Sequence, residues 1–154
     1  MNKKIYPIVL FMILLILDQV SKALIIKMVN PGDTIQLIGS IYITNIRNIN
    51  TSYSSNLIRI FVQIIIPIII IILLGKALIA KNYFTQVQKV AMWTLASGGV
   101  GNIIDRTFRP SGVLDFIYIK NIYFIPVFNI ADLSVAIGST IMVVSLILQD
   151  RRLR

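Results

Sequence analysis

The sequence contains no cysteine, no histidine and no glutamate, and these absences exclude several kinds of chemistry. Without cysteine the chain has no disulfide bond, no thiol nucleophile and no thiolate metal site. Without histidine it has neither a Ser-His-Asp triad nor the paired histidines of a zincin motif. Hydrolytic chemistry in this chain therefore depends on Asp, Lys, Ser, Thr, Tyr or water.

Charged residues are also scarce, at 14% of a 154-residue chain, whereas 56% of the residues are hydrophobic. With a mean hydropathy of +0.84, this is not the composition of a soluble globule, and most of the apolar surface must face lipid. The length predicts a single domain, residues 1–154. The predicted fold class is an all-α membrane protein with a small extracytoplasmic β-element and a hairpin. Its four transmembrane helices are predicted at about 5–29, 57–80, 88–105 and 127–148.

Basic residues give a formal charge of +9, but they are scattered and mostly flank the apolar runs. That arrangement is typical of the positive-inside bias of a membrane protein, and it favours membrane lipids over nucleic acid as the partner. Eight basic residues fall on the side of the two termini and six on the other side. We therefore predict a multi-pass protein with both termini in the cytoplasm and an aspartate-bearing loop that faces outward.

The first apolar run, Ile5 to Leu17, has the flanking charge and length of a signal-peptide core. No small-residue cleavage site follows it, and the helical pattern continues through Asp18 and Lys22, so we interpret the segment as a retained transmembrane helix. Asp18, Ser21 and Lys22 share one face of this helix, at i, i+3 and i+4. They are either a self-neutralising pair that eases insertion or a brace for a polar site inside the bundle. A Ser21–Lys22 dyad is disfavoured, because adjacent helical residues point about 100° apart.

Two polar stretches on the outer side are predicted to form small β-structures. In the first stretch, residues 35–46 mix β-branched and polar residues and predict short strands, while residues 47–54 are polar and turn-like. In the second, Val113–Ile119 and Ile122–Ile125 are predicted to form a hairpin across residues 120–121. The hairpin residues are apolar enough to lie on the membrane surface.

Three of the six acidic residues, Asp105, Asp115 and Asp132, are predicted to lie near the outer membrane face. Carboxylates at the edge of hydrocarbon are costly and therefore point to a function. Two carboxylates close together in a low-dielectric site cannot easily both ionise, so one can accept a proton from water while the other polarises a peptide carbonyl. Asp105 precedes Arg106, which suits a structural ion pair. The chemistry therefore favours Asp115 with Asp132 as an aspartic protease pair, and the spacing alone leaves helix caps and ion pairs as the alternative.

Four short motifs occur in register along the chain: DQVSK at 18–22, GGVGNIIDR at 98–106, VLDF at 113–116 and FNIAD at 128–132. Their order, their spacing and the four-span layout resemble the bacterial lipoprotein signal peptidase family, signal peptidase II. The resemblance covers nearly the whole chain and implies an enzyme of the bacterial cytoplasmic (inner) membrane. It also implies that Asp115 and Asp132 are the catalytic pair, the same choice that the local chemistry favours. The residues that it implies for substrate binding or for support of the site are Asn48, Asn102, Arg106, Asn129, Asp18, Lys22 and Asp105.

One family motif is altered in this chain. The first outer loop of the family usually reads Arg-Asn-x-Gly-Ala-Ala-Phe, and Arg47 and Asn48 match its beginning. Residues 50–53, Asn-Thr-Ser-Tyr, stand in place of the glycine, the small pair and the aromatic residue. Asparagine can adopt the left-handed backbone conformation that glycine would supply, at some cost. The substitutions enlarge and polarise the loop, so they bear on the shape of the substrate pocket and not on the catalytic pair.

The resemblance implies an aspartic endopeptidase whose substrates are prolipoproteins that carry a diacylglyceryl group on a cysteine. Cleavage just before that cysteine would release the signal peptide. The resemblance also implies inhibition by cyclic peptides such as globomycin, and it implies neither a metal nor an organic cofactor. Two other classes of function remain open. One is a small membrane transporter or channel subunit, because intramembrane Asp and Lys residues commonly mark ion pathways. The other is a catalytically inactive homologue that binds lipoproteins, because of the altered loop.

Overall fold

The computed structural model of the protein describes residues 5–48, 84–109 and 111–153, together with single positions at 65, 68, 69, 72 and 75. Across these residues the chain forms three helices and three strands. In chain order they are α1 (Tyr6–Met28), β1 (Thr34–Ile38), β2 (Ile41–Asn48), α2 (Gln86–Phe108), β3 (Val113–Ile119) and α3 (Ile130–Leu153). Apart from those single positions, the helix predicted at about 57–80 lies outside the described residues, as does the rest of the altered loop after Asn48.

The starts of two helices differ from those predicted because capping side chains fix them. α2 begins two residues earlier, since the Thr85 hydroxyl accepts a hydrogen bond from the Gln88 backbone while the Gln88 side chain accepts one from the Thr85 backbone. This reciprocal capping box satisfies backbone N–H groups that the helix itself leaves unpaired. α3 begins three residues later than predicted, because Asn129 caps it in the same reciprocal way with Asp132.

Glycines allow α2 and α3 to pack closely as antiparallel neighbours. A Cβ atom added at Gly98 would overlap the backbone oxygen of Ala131, and one added at Gly138 would lie 2.7 Å from the Leu95 nitrogen. Small residues of this kind are how helices approach one another in a membrane, where no hydrophobic effect drives them together. α1 runs parallel to α2 and contacts it through polar side chains, which are described with the candidate site.

Burial in α1 is the reverse of the pattern in a soluble helix. Its buried residues are Pro7, Asp18 and Lys22, and the Asp18 and Lys22 side chains are only 1% and 0% exposed. The large apolar side chains that it exposes include Ile8, Met12, Ile13, Ile16, Leu17 and Leu24. A helix with charge inside and hydrocarbon outside is unfavourable in water and suits a lipid environment.

Two of the described helical segments are long and apolar enough to cross a membrane, Tyr6–Met28 and Ile130–Gln149. α2 carries Lys89 near its start and Asp105 near its end, and it does not reach the same hydropathy. The prediction of four transmembrane helices is therefore confirmed only in part. Within the described ranges there are three helices, of which two are apolar enough to span, and a small antiparallel sheet.

The three strands form one antiparallel sheet in the order β1-β2-β3. It lies at the end of the bundle where α1 finishes, because the Asn45 side chain donates a hydrogen bond of 2.7 Å to the Val29 carbonyl. The short strands predicted within residues 35–46 are confirmed. β2 continues further, with Arg47 opposite Leu114 of β3, so Arg47 belongs to a strand and not to the predicted polar turn.

The predicted hairpin is wrong in its second half. β3 pairs with β2, and the described residues 120–126 form turns in place of a return strand at Ile122–Ile125. Asn121 has a positive φ of 68°, and a hydrogen bond from the Ile125 nitrogen to the Ile122 carbonyl closes the following turn. Phe128 then forms a single bridge with Ile117, which brings the chain back beside β3 just before α3 begins.

The close packing at Gly98 predicts that Gly98→Ala destabilises the protein. The new Cβ would overlap the Ala131 carbonyl, so α2 and α3 would have to separate, at a cost of about 1–3 kcal/mol. The measurement is thermal unfolding of the purified protein in detergent. The matched control is Gly75→Ala, at a helical glycine where no described atom outside its own stretch of helix lies within 4 Å of an added Cβ, so alanine should be neutral or stabilising. Equal melting temperatures for the Gly98 variant and the wild type would contradict this account of the packing.

Candidate active site

Four polar side chains meet where the sheet joins the helices. β3 supplies Asp115, the last two turns of α2 supply Asn102, and the start of α3 supplies Asn129 and Asp132. Asn102, Asp115 and Asn129 are nearly fully buried, with exposed fractions of 7%, 5% and 0%, while Asp132 is partly exposed. Buried polar groups require hydrogen-bond partners, and the contacts among these four side chains define the site.

Asn129 and Asp132 are oriented by the start of α3 itself. The Asn129 Oδ1 atom accepts a hydrogen bond of 2.8 Å from the Asp132 backbone nitrogen, and the Asp132 Oδ2 atom accepts one of 3.2 Å from the Asn129 backbone nitrogen. The pair is a capping box with Asp in the position usually held by Glu or Gln. The positive end of the helix dipole also favours a carboxylate in this first turn. The helix start therefore sets both the position and the direction of the Asp132 carboxylate.

Asn129 also connects Asp132 to Asp115. Its Nδ2 atom donates to Asp115 Oδ1 at 2.8 Å and to the Leu114 carbonyl at 3.2 Å. A side-chain amide has two N–H groups, and these two acceptors on β3 can engage both of them. One asparagine thus contacts both carboxylates, through its side chain on Asp115 and through its backbone on Asp132.

Asn102, on α2, contacts the Asp132 carboxylate. Its Nδ2 atom donates to Asp132 Oδ1 at 2.8 Å, while its Oδ1 atom faces Lys22 Nζ at 3.3 Å and Asn129 Nδ2 at 3.4 Å. Asp132 therefore receives a side-chain donor on one oxygen and a backbone donor on the other. Both of its oxygens are held by neutral N–H groups.

A cluster of four charges, three of them buried and the fourth partly exposed, adjoins these residues through Asn102. Lys22 Nζ is 2.8 Å from Asp18 Oδ2 and 2.7 Å from Asp105 Oδ2, and Arg109 Nη1 is 2.6 Å from Asp105 Oδ1. The cluster of Asp18, Lys22, Asp105 and Arg109 has two charges of each sign, so it is formally neutral. Such a balance is required because an uncompensated buried charge costs several kcal/mol.

Asp18 also connects the cluster to α3. Its Oδ1 atom accepts a hydrogen bond of 2.8 Å from the Ala131 backbone nitrogen in the first turn of α3. That N–H group has no partner within its own helix, so a carboxylate on α1 acts as a second cap for α3. Gly101 leaves room for this contact, since a Cβ atom there would lie 2.8 Å from Asp18 Oδ2.

Two further arginines surround the site. Arg106 is half-buried, and its guanidinium interacts electrostatically first with Asp132 and then with Asp105 and Asp115. On β2, burial lowers the pKa of Arg47, and the neighbouring Arg109 cation lowers it further, while Asp105 opposes both effects. An arginine pKa starts so high that Arg47 stays charged at neutral pH.

The structure brings together most of the side chains that the sequence predicts for the site. Asp18, Lys22, Asn102, Asp105, Asp115, Asn129 and Asp132 are joined by the contacts given above. The side chain of Asn48 lies outside the described part of the chain, although its backbone pairs with Val113 at the end of β2. The predicted ion pair of Asp105 with Arg106 is corrected: the partners of Asp105 are Arg109 and Lys22. Residues i and i+1 of a helix diverge, whereas i and i+4 are neighbours.

Sequence reasoning did not single out Gln19 or Arg109, and both contact the charged cluster. Gln19 Nε2 donates to Asp18 Oδ2 at 3.0 Å and to the Gly101 carbonyl at 3.2 Å, and its Oε1 atom accepts from Arg109. The spacing of four between Asp105 and Arg109 was the available signal for the arginine. For Gln19 the pattern of one helix gave little signal, because its partners other than Asp18 are more than 80 residues away in sequence.

Among the described residues, no group of three or more His, Cys, Asp or Glu side chains is arranged to hold a metal ion. The contacts at the site are hydrogen bonds and ion pairs between protein groups. What the arrangement offers chemically is a pair of carboxylates with fixed directions, next to a half-buried arginine.

Comparisons with known proteins agree on one family. The family model for signal peptidase (SPase) II matches residues 10–148. The chain is 33% identical to a lipoprotein signal peptidase of Borrelia hermsii, over 93% of this chain and 90% of that protein. It is 30% identical to a lipoprotein signal peptidase of Treponema pallidum, over 99% of this chain and 88% of that protein. A solved bacterial membrane enzyme superposes with a TM-score of 0.83 at 32% identity and covers 92% of each chain.

The charged cluster predicts that Lys22→Met strongly destabilises the protein. The substitution leaves Asp18 and Asp105 with a single compensating cation, so we expect a loss of about 3–5 kcal/mol, measured as a lower melting temperature in detergent. Adding Asp105→Asn removes one of the two carboxylates and should recover part of the loss. The control is Lys27→Met, on an exposed position of the same helix, where little change is expected. A Lys22 variant as stable as the Lys27 variant would show that the cluster contributes little.

Proposed function

Because the chain belongs to the signal peptidase II family, we propose that it is an aspartic endopeptidase that removes signal peptides from prolipoproteins. The proposed substrate carries a diacylglyceryl group on a cysteine, and the proposed cut lies directly before that cysteine. The proposed catalytic residues are Asp115 and Asp132. The family supports the protease class, and the described contacts support the aspartic type.

The observation that carries the aspartic mechanism is that Asn129 contacts both carboxylates. Asp115 comes from a strand and Asp132 from a helix, yet one asparagine side chain and its own backbone bind them both. An aspartic protease needs two carboxylates from separate segments held at one place, so that a water molecule can lie between them. The half-buried Arg106 adds a positive charge near the pair, which favours the negative charge that develops on the reacting carbonyl oxygen.

In the proposed reaction the pair shares one proton. The ionised carboxylate takes a proton from the water while the water oxygen attacks the scissile carbonyl carbon. At the same time the protonated carboxyl gives its proton to the carbonyl oxygen. A tetrahedral diol results, with the proton now on the first carboxyl. That carboxyl then protonates the leaving nitrogen, the C–N bond breaks, and the second carboxylate takes back the diol proton. The signal peptide leaves with a new carboxyl group, and the cysteine becomes the amino terminus of the product.

The other acidic residues of the site are proposed to be structural. Both oxygens of Asp105 are held by cations, Oδ1 by Arg109 and Oδ2 by Lys22, so neither is available to a water molecule or a substrate. Asp18 is held by Lys22 and by the start of α3. Asn48, at the end of β2, is proposed to contact the substrate backbone.

The proposed location is the bacterial inner membrane, with both termini in the cytoplasm and the site on the outer side. The two carboxylates lie at the end of the bundle where α1 and α2 finish, together with the sheet, and opposite the end where the Gln88 side chain donates to Gln149. A substrate whose signal helix and lipid both lie in the bilayer reaches such a site from the membrane plane. Globomycin-type cyclic peptides are proposed to bind the same pair.

The other two classes of function receive less support. A transporter relay requires ionisable groups at several depths, whereas Asp18, Lys22 and Asp105 are locked in one neutral cluster. An inactive lipoprotein-binding homologue would have no need for two carboxylates oriented by one asparagine. The family assignment favours the peptidase over both alternatives.

The proposed mechanism predicts that Asp115→Asn and Asp132→Asn each reduce kcat by at least about a thousandfold. Asparagine is nearly isosteric with aspartate but cannot exchange the proton, and at position 132 it can still accept the capping hydrogen bond. The assay is cleavage of a diacylglyceryl-modified prolipoprotein by the purified protein, followed by mass spectrometry of the products.

The matched control is Asp33→Asn, which changes an exposed aspartate in the turn before β1 and should cleave like the wild type. Full activity in either the Asp115 or the Asp132 variant would mean that the pair is misassigned and that Asp105 is the next candidate. A wild type that never cuts this substrate would overturn the proposed function.

A further inference from the structure

We propose that Lys22 is a positioning residue for the reaction and acts through Asn102. By binding the oxygen of the Asn102 amide, it directs the nitrogen of that amide toward Asp132. This inference rests on the proposed role of Asp132 and adds a cause for the direction of its carboxylate. The partners of Lys22 are Asp18, Asp105 and Asn102, and Asn102 in turn donates to Asp132.

The direction of the Asn102 amide follows from the chemistry of its neighbours. An amide presents an acceptor on one side and a donor on the other, and a lysine ammonium is a donor only. Lys22 Nζ lies 3.3 Å from the Asn102 side chain, so the amide must present its oxygen there. Its nitrogen then faces Asp132 Oδ1 at 2.8 Å. The reversed amide would place oxygen against carboxylate and N–H against ammonium, which is unfavourable at both ends.

The ammonium group is itself held in one orientation. Lys22 Nζ donates hydrogen bonds to Asp18 Oδ2 at 2.8 Å and to Asn102 Oδ1 at 3.3 Å, and it forms an ion pair with Asp105 Oδ2 at 2.7 Å. With 0% exposure, Lys22 has no water to replace any of them. The two carboxylates therefore hold the ammonium in place, and one of its N–H groups is directed at the amide. Hydrogen bonds from a charged donor in a dry site are stronger than neutral ones.

A second contact from the same helix acts on the backbone beside Asp132. Asp18 Oδ1 accepts the Ala131 N–H, so the residue before Asp132 is held by the partner of Lys22. The Asp18–Lys22 pair thus reaches the proposed catalytic carboxylate by two routes, through the Asn102 amide and through the α3 backbone. The sequence leaves two interpretations of this pair open, a self-neutralising pair that eases insertion or a brace for a polar site. The contacts favour the brace.

Loss of this positioning should lower kcat and leave KM unchanged, because both side chains are nearly fully buried and act on the direction of Asp132. Without Lys22 the Asn102 oxygen keeps only the 3.4 Å contact with Asn129 Nδ2, so the amide is held less firmly and its hydrogen bond to Asp132 is weakened. A hydrogen bond to a charged group contributes enough for a loss of roughly ten- to a hundredfold in kcat. A residue that only stabilises the fold would change the melting temperature and leave the kcat of the folded protein unchanged.

The deciding experiment is a double-mutant cycle of Lys22→Met and Asn102→Leu, built in an Asp105→Asn background. In that background the variants with Lys22→Met have a neutral cluster, with Asp18 and Arg109 as one charge of each sign, which favours their folding. The variants that retain Lys22 carry one additional positive charge. The measured quantities are kcat and KM for a diacylglyceryl-modified prolipoprotein. We expect the double variant to be no slower than the Asn102 variant alone, since Lys22 acts through Asn102. If the kcat losses of the two single variants multiply in the double variant, the residues act independently and the proposal is overturned. An unchanged kcat in the Lys22 variant would also overturn it.

Arg109→Gln is the matched control. Arg109 and Lys22 both pair with Asp105, at 2.6 and 2.7 Å, but Arg109 has no contact with Asn102 among the described residues. The control should lose stability and keep the kcat of the wild type. A kcat loss equal to that of the Lys22 variant would show that the ion pairs act only by general support, and that result too would overturn the proposal.

A further variant keeps the proposal testable if the Lys22 substitution does not fold. Asn102→Asp retains an acceptor for Lys22 but replaces the N–H that faces Asp132 with an oxygen, so the folded variant should lose at least as much kcat as the Lys22 variant. A folded Asn102→Asp protein with wild-type kcat would overturn the positioning role. Failure of the proposed function is separate, because it would appear as a parent protein that does not cut the substrate at all.

Discussion

The structure depends on the burial of one lysine ammonium inside an apolar bundle. Lys22 is completely shielded, and a charge in that position is tolerated only with close counter-charges. Asp18 and Asp105 supply them, and the excess negative charge of Asp105 is in turn balanced by Arg109. Because these partners come from two helices and one of them also binds the first turn of α3, satisfying this ammonium fixes how α1, α2 and α3 meet. The candidate site is built on that junction.

Much of the fold was predictable because its signals are local. The apolar run of α1, the strands within residues 35–46 and the helix around Asn102 follow from composition and period. Helix starts were less predictable, because each depends on a few hydrogen bonds in the first turn. These caps are formed by Thr85 with Gln88 and by Asn129 with Asp132. The prediction of a return strand at Ile122–Ile125 was wrong because β3 pairs with β2, some 70 residues earlier. No local sequence pattern indicates such a pairing.

The residues of the site could be predicted from the sequence, but the hydrogen bonds and ion pairs between them could not. The motifs identified Asp18, Lys22, Asn102, Asn129 and the aspartates, since residues with chemistry to perform stand out in an apolar chain. Which oxygen faces which nitrogen depends on the side chains that reach each other from distant segments. The oxygen of the Asn102 amide, for example, faces a lysine 80 positions away. The pairing of Asp105 with Arg109 illustrates the same point on one helix, where geometry and not adjacency selects the partner.

The capping box at Asn129 and Asp132 means that one carboxylate serves both the start of a helix and the proposed chemistry. Asp115 and Asp132 therefore differ in how freely they could be replaced during evolution. A copy of this protein that no longer needed to cut could exchange Asp115 and leave the start of α3 intact. The same copy would keep an oxygen-bearing side chain at position 132, because the helix start still requires the acceptor. Retention of an oxygen-bearing side chain at position 132 in a relative is thus weak support for activity, and Asp115 is the more informative position.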